Sequence, residues 1–427
     1  MKDHFVKTLG KQLPLLIKNK VIDEETARNI ELYYENQSSG SSRNTVLTII
    51  SSIAALLIGS GIILLFAYNW NTIPRILKTI IAFIPLVSGQ ILVYLSWSHK
   101  KNTPWIESSS LFLSLAVGAV IALISQIYQI PGNLENFLFI WMILILPLNY
   151  LTGSTGTLAI YLTGILFWSG FSQEAGGHAA YYWLLLGAVI PKLILLMKNE
   201  RYSNKTSIVS WLVVINLLIG TGITLEKVIP GLWILVYSLL LISLYLIGRI
   251  YKSEPFKIIG TSGTVILSYI FTFEFFWEEI GFNNISRQPG RYENIAIIDY
   301  AMLIFLFIFA SYLLIKKIEK SEIKEHLPFL IISILSLCSF LLGSIIDVII
   351  PQTIIFNLYT LFLGGWIISR GLKNKYLYQI NLGMLTVLLI IVTRFFDMDI
   401  GFTVKGIIFI LLGTIFLVIN KYLGKRL

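Results

Sequence analysis

The sequence predicts an all-α, polytopic transmembrane helix bundle of about fourteen spans, preceded by a short N-terminal cytoplasmic helical hairpin. Three observations predict it. The 427 residues are 56% hydrophobic with a mean hydropathy of +0.78, and only 13% are charged; soluble chains carry roughly 25%. The apolar runs are too long and too numerous to bury in one core, so lipid is their natural solvent. The basic residues behind the net charge of +10 gather in short segments between those runs. That is the positive-inside pattern of membrane proteins, not a nucleic-acid-binding patch.

Residues 1–36 read as the helical hairpin. Phe5, Leu9, Leu13 and Leu16 recur at helical spacing. A second helix starts at Asp23, which can cap it, and Glu24 and Glu25 follow in the first turn where the helix dipole favours them. Ala27, Ile30 and Tyr34 give that helix an apolar stripe. Two helices this short cannot hold a core alone. The hairpin is therefore expected to pack on the membrane domain, on a copy of itself, or on a cytoplasmic partner protein. Residues 37–43 form a flexible Ser/Gly linker, and residues 44–427 the membrane domain. The polar start lacks an apolar run of signal-peptide type, so no cleavable signal is expected.

The membrane domain opens with a hairpin at Ile58 to Phe83, whose tip is Tyr68-Asn69-Trp70-Asn71 before Pro74-Arg75. The apolar segments run at 45–69, 76–96, 108–130, 136–150, 155–170, 179–197, 206–224, 229–248, 257–277, 298–315, 327–349, 353–369, 376–396 and 402–420. The pair 136–150 and 155–170 is short for a bilayer, and Tyr150-Leu-Thr-Gly-Ser-Thr-Gly156 breaks it into a tight hairpin. With the N-terminus in the cytoplasm, only Arg75, Lys78, Lys227, Arg287, Arg291, Arg394 and Lys405 fall outside and Lys192 falls within a span; the remaining Lys and Arg are cytoplasmic. An error of one helix early in the chain would destroy this bias, so both termini are expected in the cytoplasm. The 277–298 loop is the one long outer loop expected.

The residues also carry a resemblance. Gly59-Ser-Gly61, Ala67-Tyr-Asn69-Trp70 and Pro74-Arg75 mark the first hairpin. Ile124-Ser-Gln126-Ile-Tyr128, Trp141 and Pro147 follow, and Arg394-Phe-Phe-Asp397 with the basic tail from Lys421 to Arg426 closes the chain. In these the chain resembles DUF2157, a family of bacterial predicted membrane proteins, best over roughly the first 170 residues. The resemblance implies a multi-pass protein of the bacterial cytoplasmic (inner) membrane and implies no activity.

Enzyme signals are sparse. His4, His99, His178 and His326 read as head or loop residues, none at metal-ligand spacing. The single cysteine, Cys338, excludes an internal disulfide and any multi-Cys metal site. No cofactor is implied. Gly153-Ser-Thr-Gly156 and Gly260-Thr-Ser-Gly263 lack the lysine of a phosphate loop and read as helix-packing or helix-breaking sites. Ionisable residues within spans are the best pointers to function. Here Glu274, Glu278, Asp299, Asp347, Arg394 and Asp397 all fall near outer helix ends, which argues against a buried proton relay.

Two sets of candidate residues remain. Trp70, Asn71, Gln126, Gln129, Glu274, Arg394 and Asp397 could line an outer pocket. Gln126 and Gln129, three apart, would share one helix face, and so would Arg394 and Asp397, either as a helix-end ion pair or as substrate contacts. Asn216 and Ser268 could line a path at mid-depth, or could bond within and between helices. Three functions follow. The first is a carrier or flippase-like protein for a neutral, lipidic or sugar-like substrate. The second is a scaffold or sensor whose head recruits a partner. The third is a membrane enzyme on lipid-linked substrates.

Overall fold

A computed structural model gives the fold. It describes residues 22–29, 73–98, 103–175, 179–226, 229–280, 297–317, 323–346 and 350–397, with isolated residues at 13–19 and 403–417. The chain divides into two compact units, residues 1–82 and 83–427, with the boundary inside the helix Arg75–Ser98. In the first unit, the Asp23 carboxylate accepts the Thr26 amide at 3.3 Å and its carbonyl accepts that of Ala27 at 3.0 Å. Asp23 thus starts a helix as its position predicts, and the Thr26 contact holds its carboxyl below the ordinary value.

The helices are α1 (Arg75–Ser98), α2 (Thr103–Tyr128), α3 (Leu134–Thr152), α4 (Thr155–Glu174), α5 (Tyr182–Gly187), α6 (Ile190–Asn199) and α7 (Asn204–Thr224). They continue with α8 (Leu232–Ile250), α9 (Glu254–Ile270), α10 (Glu274–Ile280), α11 (Ile297–Lys317), α12 (Ile323–Leu341), α13 (Ile350–Asn374) and α14 (Leu377–Asp397). Local chemistry sets their ends. Asn133, Ser154 and Ser203 accept the first amides of α3, α4 and α7. Gly153 ends α3 at φ 64. After α8 the chain turns through Lys252 at φ 53, and the Ser253 amide reaches back to the Gly248 carbonyl at 3.0 Å. That is a Schellman turn with lysine at the position glycine usually takes.

Every apolar segment from 76–96 to 376–396 coincides with a helix or a broken helix. The count of fourteen spans is narrower in the structure. Among the described residues nine helices are long and apolar enough to cross a membrane, or ten if the bent pair α9 and α10 is one span. Segment 45–69 lies outside the described residues, and 402–420 contributes only isolated ones. Segment 155–170 forms α4, which protein rather than lipid shields: Leu158, Tyr161, Leu162 and Ile165 are fully buried. Segment 257–277 is not straight, because α9 stops at Ile270 and α10 leaves at 89°. By contrast α11 exposes Phe305, Phe307, Ile308 and Ile315, the surface a bilayer covers. The chain is a multi-pass membrane protein.

Helix α8 is the axis of the second unit. Its sequence is apolar on every side, which suits a helix buried all round. It packs on α9, α11 and α12. The approach of α9 is close enough that a Cβ on Gly260 would sit 2.4 Å from the Tyr245 nitrogen, and one on Gly248 would sit 2.3 Å from that of Lys257. Only glycine permits this contact, the packing role the sequence assigns to Gly260. It fixes Tyr245, Arg249 and Lys257 relative to one another.

Candidate functional site

Two adjoining cavities of about 800 and 760 Å³ open where α7 begins, α8 turns into α9, and α12 and α13 meet. They share Arg249, Glu254 and Lys257. The first is polar and adds Arg201, Ser207, Ser210, Lys252 and His326. The second turns apolar through Ile258, Phe329, Trp366, Ile367 and Leu382, and reaches Arg370. Among the described residues the Ser210 hydroxyl is buried without a hydrogen-bond partner.

Side chains on three helices converge at this cleft. Arg370 of α13 donates to the Glu325 carboxylate of α12 at 3.0 Å, and Arg249 of α8 approaches the same oxygen at 3.9 Å. The Arg370 side chain is 17% exposed and its guanidinium lies 5.0 Å from the centre of the Trp366 ring, whereas the Glu325 side chain is 51% exposed. Behind them the Tyr245 hydroxyl shares a 2.8 Å hydrogen bond with His326 Nδ1. Phe329 packs against Tyr245 with the rings tilted by 33° and centroids 4.6 Å apart, and meets Trp366 edge-on at 5.4 Å. Lys257 pairs with Glu254 at 3.1 Å. Among the described residues, Arg201 and Lys252 make no such pair. Among the described residues, five cations against Glu254 and Glu325 leave the cleft basic. The sequence reading places His326 in a loop; it is instead buried in the first turns of α12.

The residues expected from sequence lie elsewhere. Trp70 and Asn71 fall outside the described residues, as does the side chain of Asp397. Gln126 is exposed near the end of α2, but the helix stops at Tyr128 and Gln129 turns away at φ 51, so the two amides do not continue one helical register. Glu274 is exposed at the start of α10. Arg394 donates to Asn357 Oδ1 at 3.1 Å and to the Thr272 carbonyl, and lies 5.4 Å from the centre of the Phe273 ring. It therefore satisfies a carbonyl left free by the α9–α10 break. Asn216 is buried, donating to the Leu212 carbonyl at 3.0 Å, while Tyr182 donates to its backbone carbonyl at 2.8 Å. Ser268 donates to the Val265 carbonyl at 2.9 Å. Asp299, also buried, accepts the Glu226 amide at 2.7 Å.

Helices α2 to α4 are tied by polar contacts that the sequence did not reveal. Trp141 donates from its indole to the Ser114 carbonyl at 2.8 Å, and the Ser114 hydroxyl meets Thr157 at 3.1 Å. The Glu107 carboxylate accepts the Ser154 hydroxyl at 2.6 Å and the Thr155 and Gly156 amides at 2.9 and 3.2 Å. The glycine-flanked turn before α4 thus holds an anion, and the anion is the protein's own. Residues 14–158 match the family model described as Predicted membrane protein (DUF2157). The DUF2157 segment contains Glu107, Trp141, Ser154 and Thr157, and it agrees with the resemblance read from the residues. No curated protein and no solved structure matches the chain. The basic cleft begins at Arg201 and lies wholly beyond the DUF2157 segment.

Proposed function

We propose that the chain is a carrier for a lipidic substrate in a bacterial cytoplasmic membrane, threaded with both termini in the cytoplasm and loading at the basic cleft. One observation carries this reading: the paired cavities grade from cationic to apolar. An amphiphile would place its headgroup among Arg201, Arg249 and Lys252 and its tail against Phe329, Ile367 and Leu382. Basic pockets between membrane helices on the cytoplasmic side suit lipid headgroups. The charge bias of the loops supports that orientation.

Side-specific thiol labelling tests the reading. With Cys338 replaced by serine, single cysteines at Ser207 and Thr261 should react with a membrane-impermeant maleimide in inside-out vesicles and stay protected in intact cells. A cysteine at Glu274 should show the reverse. Cysteines at Asn216 and Ser268 should react only during turnover. Labelling of Ser207→Cys in intact cells would overturn the orientation, and protection of both cleft positions from both sides would remove the cleft as a loading site.

A further inference from the structure

The cleft holds one arrangement that a topology rule does not require. Arg249 and Arg370 stand on different helices, 121 residues apart in sequence (370 − 249), yet both point at one oxygen of Glu325. Positive-inside bias places cations on a side of the membrane; it does not aim two guanidinium groups at one point. Two guanidinium groups around one acceptor make the geometry that selects a dianionic or bidentate oxyanion, because each presents a rigid fork of donors. A single carboxylate supplies one negative charge to two cations. Among the described residues the two arginines therefore keep an excess of positive charge even with Glu325 in place, and Arg201 and Lys252, which form no ion pair there, add to it at the same mouth.

We propose that this site binds the phosphate headgroup of an anionic amphiphile through Arg249 and Arg370, and that Glu325 is a placeholder that the phosphate displaces. The inference deepens the carrier reading and rests on the same cleft. Four features fit a phosphate-bearing amphiphile at this site. The Glu325 side chain is half exposed and can swing into water, whereas Arg370 is held from behind by Trp366. The Arg249 contact, at 3.9 Å, is long for a charge-assisted hydrogen bond, so a larger oxyanion can bridge both cations better than the carboxylate does. The buried Ser210 hydroxyl of the adjoining cavity has no hydrogen-bond partner among the described residues. The apolar wall of Phe329, Trp366 and Ile367 lies next to the arginines, where a tail leaving the headgroup would run.

The test uses the full chain in nanodiscs of phosphatidylcholine doped with phosphatidic acid, or with diacylglycerol of the same acyl chains; inorganic phosphate in solution forms a third arm. The readout is the melting midpoint titrated against ligand, with gel filtration as the fold control. Phosphatidic acid should stabilise the parent and diacylglycerol should not. Arg249→Gln and Arg370→Gln should weaken that binding about ten- to a hundredfold, the loss of a charged hydrogen bond. Glu325→Gln should tighten it: if the carboxylate occupies the arginines nine-tenths of the time, its removal strengthens apparent affinity about tenfold. Lys252→Asn, which tolerates the left-handed turn while removing the charge, should weaken binding less than either arginine variant.

A Glu325→Gln variant that folds and binds no tighter would overturn the placeholder. Equal binding of diacylglycerol would overturn the phosphate, and inorganic phosphate acting as strongly as phosphatidic acid would overturn the amphiphile. Binding of phosphatidic acid without transbilayer movement would refute the carrier reading and leave the site standing.

Discussion

Replacing Glu107 with glutamine should destabilise the chain by about 2–4 kcal/mol. The carboxylate accepts the Ser154 hydroxyl and the Thr155 and Gly156 amides, and it sits at the positive end of α4. A hydrogen bond to a charged group contributes about 1.5–3 kcal/mol net, and a charge at a helix N-terminus adds about 0.3–1 kcal/mol. Glutamine keeps one acceptor oxygen but turns an amide NH2 toward the remaining donors. The loss is therefore roughly one charged bond plus the dipole contribution. Glu107→Ala should cost more, because all three donors lose their acceptor. The assay is thermal unfolding in one detergent, extended to a double-mutant cycle with Ser154→Ala, where a coupling of about 1–3 kcal/mol is expected. Glu107→Gln as stable as the parent, or a coupling near zero, would refute the argument that this carboxylate organises the α3–α4 turn.

Other predictions concern packing and charge. Gly260→Leu should prevent α8 and α9 from closing and abolish a folded gel-filtration peak, since its Cβ would meet the Tyr245 backbone; a normal peak would show the two helices are free to part. Arg394→Met should cost about 2–3 kcal/mol by leaving Asn357 Oδ1 and a share of the Thr272 carbonyl without a donor. Arg394→Lys should not restore it, because one ammonium cannot span both acceptors; full rescue in a melting experiment would contradict this. Burial, and then the Asp299 charge, raise the Glu226 carboxyl above its ordinary value. A folded state that holds the proton more tightly loses stability as pH rises through the raised value. Glu226→Gln should therefore melt higher than the parent at pH 8 and no higher at pH 4, and a pH-independent difference would refute the coupling.

The helices were legible because apolar runs of bilayer length admit few other readings. Their breaks were less so. Nothing local in Tyr269–Phe273 announces an 89° bend; the carbonyls it frees are taken up by the Trp277 indole at Phe271 and, from far along the chain, by Arg394 and Asn357 at Thr272. The basic cleft was hidden for a related reason. Arg249, Lys252, Lys257 and Arg370 each lie in a loop or helix end where positive-inside bias already accounts for a cation, so each counted as topology. Their convergence on Glu325 is tertiary. The one available signal was Glu325-His326 side by side before an apolar run, an acid and a histidine where lysines alone would satisfy the bias. Charge near span ends points to Glu274 and Arg394, but Glu274 is exposed and Arg394 serves a helix break. Asn216 shows the same limit: a mid-span amide reads as a lining group, and the structure gives it bonds to its own helix and to Tyr182.

Transbilayer movement of a fluorescent phosphatidic acid in vesicles reconstituted with the full chain tests the central claim most directly. The account predicts faster exchange between leaflets than in protein-free vesicles, with Arg370→Gln returning the rate to that background. Rates equal to protein-free vesicles, for a parent protein that is folded and inserted, would contradict it.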